Sequence, residues 1–335
     1  MMFDIIAAQP WLAISLTFIF SLLIGSFMNV VIYRLPLMME REWLEMAEEA
    51  LASTSTDSTL ETTTADAQLD ETVFSNTDQA DSALVEPSVL ATQPIPEATE
   101  REETNKVFNL AQPASTCPNC NHLIRWYENI PLISYFLILR GRCSGCKTPI
   151  SIRYPLIELI TAIMSAFIVY QFGFNTVALA IIVFSWCLIT LTAIDLDHQL
   201  LPDKITLPLL WIGLIVNSFG YFTSLPSALW GAVLGYLSLW SVYWLFKLVT
   251  GKEGMGYGDF KLLAALGAWA GADMLPLIIL VSSLIGALTG GLMILFRRHG
   301  SQTPMPFGPY LAGAGWVALL WGDNLTDWYL QLLSL

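Results

Sequence analysis

Charge is what this sequence has least of. Only 13% of its residues are Asp, Glu, Lys or Arg, about half the share found in soluble domains. With 55% hydrophobic residues and a mean hydropathy of +0.58, a soluble globular chain is excluded. Several apolar runs reach the roughly 20 residues needed to cross a bilayer, so an all-α polytopic membrane protein is expected. No basic residue precedes the first apolar run and no clear small-residue cleavage site follows it, so a cleavable signal peptide is not expected. Gly251-Lys252 and the three glycines after it lack a closing Gly-Lys-Ser/Thr, and no strand leads into them, which argues against a phosphate loop. No nucleic-acid partner is expected.

The net charge of −13 belongs to one segment. Residues 40–103 hold 17 acidic and two basic residues, a net of −15, leaving +2 for everything else. Residues 40–50 can form a short acidic helix. Residues 52–104 are rich in Ser, Thr, Asp, Glu and Ala, which bury too little apolar surface to offset the entropy of ordering. Residues 37–105 are therefore expected to be an acidic disordered insert. It separates a first transmembrane helix, within residues 1–36, from a small polar domain at 106–154.

That domain carries four of the five cysteines. Cys117-Pro-Asn-Cys120 and Cys143-Ser-Gly-Cys146 have 22 residues between them. Two such knuckles suit four thiolates around one Zn²⁺. Redox C-x-x-C pairs or two disulfides are the alternatives; two pairs bracketing one short domain favour zinc. Four Cys ligands leave no open position, so the metal is expected to be structural.

Eight spans are expected, near 11–33, 155–172, 177–194, 206–222, 227–249, 260–272, 276–296 and 307–322. Arg34 and Pro36 are expected to close the first. In that span Gly25, Ser26 and Asn29 admit two readings, close helix packing or a functional role. Residues 155–335 make up the main membrane domain. Placing the N-terminus outside puts Arg34, Lys147, Arg153, Lys204, Lys247, Lys252, Lys261, Arg297 and Arg298 on the inner side. The outer connections at 173–176, 223–226 and 273–275 then hold no Lys or Arg, as the positive-inside bias requires.

Two carboxylates fall at one depth on that inner side. Asp195 closes the third span, in Ala193-Ile194-Asp195-Leu196-Asp197-His198. Asp259 opens the sixth, after Gly254-Met255-Gly256-Tyr257-Gly258. Carboxylates at a membrane-helix end need a reason to be there. Two of them close together share their titration, and such a pair can activate water while polarising a peptide carbonyl. Gly254, Gly256 and Gly258 would leave room for an extended peptide and expose backbone groups at the helix start. Asp197, His198 and Asp203 lie farther into the polar connection, where solvation accounts for them, with a divalent-ion site as the alternative. Thr303-Pro304-Met305-Pro306-Phe307-Gly308-Pro309 reads as a rigid turn ahead of the last span in preference to a substrate-facing loop. An ion-coupled transporter with Asp195 and Asp259 as its relay is the competing function, as is a zinc-domain scaffold.

Gly256-Tyr257-Gly258-Asp259, with Ala193-Ile194-Asp195 sixty-four positions earlier, resembles the type IV prepilin peptidases, intramembrane aspartic proteases with a GxGD motif. The likeness includes the run from Gly25 to Pro36, the double C-x-x-C, Asp195 through Asp203, residues 251–263 and Pro306-Phe307-Gly308-Pro309. It implies a bifunctional enzyme of the inner membrane, with periplasmic N-terminus and cytosolic zinc domain and active site. Such an enzyme would cut the leader from type IV prepilins and type II secretion pseudopilins after a Gly, with Asp195 and Asp259 as catalytic pair. It would also methylate the new N-terminal residue with S-adenosylmethionine. The likeness implies a methyl-donor site around Gly25–Pro36 and the cytosolic domain, with no residue assigned; no Rossmann glycine fingerprint marks one. The insert at about 40–105 is longer and more acidic than the family pattern requires, and its charge could attract a basic leader.

Overall fold

A computed structural model describes residues 9–65, 109–112, 114–117, 119–252, 254–296 and 306–333. Eight helices of more than ten residues carry the fold among these. They are α1 (Pro10–Ala65), α2 (Arg153–Phe172), α3 (Thr176–His198), α4 (Asp203–Ser218), α5 (Leu225–Thr250), α6 (Tyr257–Ala270), α7 (Leu275–Phe296) and α8 (Gly308–Leu333). The described residues form no strand, only two isolated bridges. Each expected span has its helix. Among the described residues, five segments are long and apolar enough to cross a membrane: Pro10–Leu51, Arg153–Phe172, Thr176–His198, Leu225–Thr250 and Ala272–Leu292. The α4 and α6 helices, with 16 and 14 residues, extend only about 24 and 21 Å, short of the ~30 Å hydrocarbon core.

The chain divides into two compact units, residues 1–36 with 114–335, and residues 37–113. The expected break at Pro36, where the first unit's opening segment ends, does not occur. Pro36 lies inside α1, which runs on to Ala65. Proline removes one backbone donor, and no further Pro or Gly follows before Pro87. Residues 52–65, expected to be disordered, are therefore helical. The rest of the expected disordered insert lies outside the described residues, as do Arg297, Arg298 and Thr303–Met305.

The first unit is built around α6. Phe260, Leu262, Leu263, Leu266 and Trp269 are fully buried, with α4, α5 and α8 around them. Gly231 of α5 faces Gly267 of α6 so closely that a side chain on either would strike the other backbone; small residues permit such contact between membrane helices. The far end of α6 is held by polar groups. The Asn217 amide donates to the carbonyls of Ala268 and Trp269 at 2.8 and 2.9 Å and accepts from the Phe222 and Thr223 N–H groups. Trp269 Nε1 donates to the Leu209 carbonyl at 2.8 Å. A buried amide satisfied on both sides fixes where α6 stops, and hence where Asp259 begins it.

Candidate active site

Asp195 sits in the last turn of α3, buried to 5% exposure. Gln199 ends the helix in the left-handed region, φ 52°, and its N–H donates to the Asp195 carbonyl at 2.9 Å. Asp259 is the third residue of α6, buried to 8% exposure. Gly256 precedes that helix and offers no side-chain cap, so first-turn N–H groups lack a capping side chain. The two carboxylates lie close enough to act on each other electrostatically.

The structure adds groups that the sequence did not single out. The N–H of Gly308, the first residue of α8, donates to Asp195 Oδ2 at 3.0 Å. A Cβ on Gly308 would lie 2.6 Å from the same oxygen. The Pro306–Pro309 stretch is thus both a helix start and a wall of the site. Leu201, in the short loop between α3 and α4, packs against Gly308 on one side and Gly258 on the other. A Cβ on Gly258 would stand 2.8 Å from Leu201 Cβ. Nothing in the sequence marks Leu201 as different from other leucines.

The three glycines before Asp259 therefore have three reasons. Gly254 makes room for the Phe246 ring, which would lie 2.8 Å from a Cβ at that position, and Gly258 makes room for Leu201. A Cβ on Gly256 meets only Asp259 Oδ2, at 4.0 Å. Gly256 alone leaves open space beside the carboxylate.

Two ion pairs flank the aspartates. Lys261 Nζ donates to both Asp203 carboxylate oxygens, at 2.8 and 2.6 Å. Arg153 pairs with Asp197, and its Nη2 donates to the Ala193 carbonyl at 3.0 Å, a cation placed at the C-terminus of α3. Asp197 and Asp203 thus have cationic partners, and His198 is exposed. The divalent-ion reading of these three loses its ligands.

Gly25, Ser26 and Asn29 are not gathered around the aspartates. A Cβ on Gly25 would fall 2.8 Å from the Glu158 Cα, Ser26 hydrogen-bonds Glu158, and Asn29 donates to the Tyr154 carbonyl at 3.1 Å. This is the packing reading, α1 against α2.

The four cysteines converge. Their sulfurs all lie within 4.8 Å of one another. Cys117 faces Cys146 at 3.8 Å, and Cys120 faces Cys143 at 3.9 Å. A Zn–S length of ~2.3 Å gives a tetrahedral edge of about 3.8 Å, so the donor set fits zinc, and the thiols are free. The knuckles repeat one another. Cys117 N–H donates to the His122 carbonyl and Cys143 N–H to that of Thr148, each at 2.9 Å. Asn121 and Lys147, each four residues past the first Cys, are left-handed at φ 55° and 61°. Crowding has electrostatic consequences. At Cys120 the His122 backbone bond favours thiolate, yet burial and the other three sulfurs push the thiol up to about 11. At Cys146 the Thr148 hydroxyl and N–H bring it down to about 6. A divalent cation would relieve the mutual repulsion.

The "Bacterial Peptidase A24 N-terminal domain" matches residues 19–172 and the "Type IV leader peptidase family" residues 182–291. The chain is 50% identical to a prepilin leader peptidase/N-methyltransferase of Stutzerimonas stutzeri, over 99% of each chain. It is 50% identical to one from Pseudomonas aeruginosa over 98% of this chain and 97% of the other. It is 51% identical to one from Aeromonas hydrophila over 96% and 95%. At 99% coverage of both chains, the first relative is close to this chain in length. No solved structure matches the chain. With full-length identity near one half and a carboxylate pair on two helix ends, the chain belongs to the type IV leader peptidase family.

Proposed function

We propose that this chain hydrolyses the peptide bond joining the leader to a type IV prepilin or a type II secretion pseudopilin, with Asp195 and Asp259 as its catalytic residues. The observation that carries this reading is the meeting of two buried aspartates from separate helix ends, beside the one glycine whose missing side chain leaves space. Gly308 N–H occupies Asp195 Oδ2, which leaves Oδ1 to take a proton from water as the water oxygen attacks the carbonyl carbon. Asp259, holding the one proton that the pair shares, donates a hydrogen bond to the carbonyl oxygen. Collapse breaks the C–N bond, and the leaving nitrogen regains the proton.

The methyltransferase half follows from the relatives' names. S-adenosylmethionine, when bound, supplies a methyl group to the freed N-terminal amine, which loses a proton. No residue is assigned to that site. Cys117, Cys120, Cys143 and Cys146 would hold a structural zinc. All eight helices cross or enter an inner membrane, with the N-terminus periplasmic and the aspartates and cysteine module at the cytosolic side. The domain bounds follow as 1–36, 37–105, 106–154 and 155–335. Partners are the pilin substrates and the lipid bilayer. The ion-relay alternative finds no counterpart among the named relatives.

The test is processing of a purified prepilin by the purified enzyme with labelled S-adenosylmethionine. Asp195→Asn and Asp259→Asn should each abolish cleavage while the protein stays folded. Cleavage retained by either variant removes that residue from the pair. Metal analysis should find about one zinc per chain; none, with four reactive thiols, removes the zinc.

A further inference from the structure

The domain between the knuckles is less polar than its ends. Residues 130–139 read Ile-Pro-Leu-Ile-Ser-Tyr-Phe-Leu-Ile-Leu. A soluble module would turn such a run inward. Instead Ile133, Phe136, Leu137 and Ile138 are 45 to 73% exposed, on and beside the π-helical turn Ser134–Ile138.

A contact with one membrane helix, itself packed on a second, sets the level of this run. Leu132 N–H donates to Glu158 Oε2 at 3.0 Å, and Leu132 takes the left-handed conformation, φ 56°, at that bond. Glu158 lies five residues into α2. The Glu158 Cα stands about 7.5 Å farther along that helix than that of Arg153, whose partner Asp197 lies just past the apolar stretch of α3. Glu158 in turn abuts Gly25, inside the apolar span of α1. Around that level α1 turns Leu23 and Phe27 outward and α2 turns Leu156 and Ile160 outward, side chains that meet lipid when those helices cross the bilayer. Elements lying in the membrane boundary sit roughly 5–10 Å deep, and an apolar run of ten residues is too short to cross but suits a boundary element. Arg140 and Arg142, both exposed, follow directly, where they can reach lipid phosphates.

We propose that Ile133–Ile138 is embedded in the bilayer boundary of the leaflet where α2 begins, with Arg140 and Arg142 at its headgroups. The four-cysteine module is then seated on the membrane and not suspended in solvent. The occupant of the exposed apolar face is the lipid of the chain's own membrane. This does not depend on the peptidase assignment, only on α1 and α2 crossing the bilayer.

A photoreactive diazirine side chain at position 137 of the full-length protein, in vesicles of phosphatidylcholine and phosphatidylglycerol, tests it directly. Illumination should give lipid adducts at a yield similar to position 163, an outward position on α2, and several-fold above position 147. Adducts chiefly with water, with a second copy of the chain or with added prepilin would overturn the proposal, as would a lipid yield no higher than at 147. A second measurement uses Phe136→Gln with Leu137→Gln. Trypsin cleavage after Arg140 in vesicles should accelerate several-fold over the unaltered protein, with metal content unchanged. Equal rates in the two proteins would also overturn it.

Discussion

Asp195 and Asp259 look alike in sequence, each a carboxylate at the edge of an apolar run, yet they are held in opposite ways. Asp195 ends a 23-residue helix and is gripped from outside it, by the Gly308 N–H at its carboxylate and by Arg153 at its helix end. Asp259 begins a 14-residue helix and is fixed by where that helix is packed, with open space at Gly256. One carboxylate is positioned by direct contacts, the other by the placement of a whole helix. Substitutions near Asp195 should therefore disturb the carboxylate itself, whereas those near Asp259 should act through helix position or substrate room.

Substitutions at three glycines and one ion pair sharpen or break that contrast. The largest effect is expected from Gly308→Ala. Its Cβ would stand 2.6 Å from Asp195 Oδ2, so the carboxylate must move, and a misplacement of about 1 Å costs on the order of a hundred-fold in rate. An unchanged kcat in the processing assay would show that Asp195 does not need this support. Gly258→Ala comes next, because its Cβ meets Leu201 at 2.8 Å. Overpacking of roughly 1–3 kcal/mol should lower both stability and rate, and Leu201→Ala in the same chain should recover part of each. Gly256→Ala should leave thermal stability unchanged, since its Cβ has no near neighbour but Asp259 Oδ2 at 4.0 Å. It should raise KM several-fold for prepilin, and an unchanged KM would place the substrate elsewhere. The smallest effect is expected from Lys261→Met or Asp203→Asn. The pair is partly exposed, worth about 0.2–1 kcal/mol, so each should cost only a few-fold in rate. The exchange Asp203→Lys with Lys261→Asp should restore part of the loss.

Much of the fold was legible because membrane helices announce themselves by uninterrupted apolarity. Each of the eight expected runs coincides with a helix, and both aspartates fall at helix ends. What escaped prediction was local or relational. Pro36 stands where a helix would be expected to stop, but no further Pro or Gly follows before Pro87, and α1 runs through it. The short lengths of α4 and α6 depend on breaks such as Pro202 before α4 and Gly271, at φ 89°, after α6, and on the Asn217 contacts, which no hydropathy window weighs. Among the site residues, Asp195, Asp259 and the four cysteines could be picked out because their chemistry is costly at those positions. Gly308 was visible only as part of a proline-rich turn, and its hydrogen bond crosses 113 positions of sequence. Asp197 and Asp203 could be noticed but not paired, because their partners Arg153 and Lys261 lie on other helices.

Leu201 carries a consequence of its own. It touches the glycine beside Asp259 and the glycine that holds Asp195, so one aliphatic side chain serves as the spacer between the two halves of the proposed centre. Positions 201, 258 and 308 then behave as a single unit of tolerance. A larger residue at either glycine calls for a smaller one at 201, and a smaller residue at 201 frees both carboxylates at once. Relatives that alter one of the three should alter another in compensation, and a designer wishing to change the spacing of the pair has one side chain with which to do it.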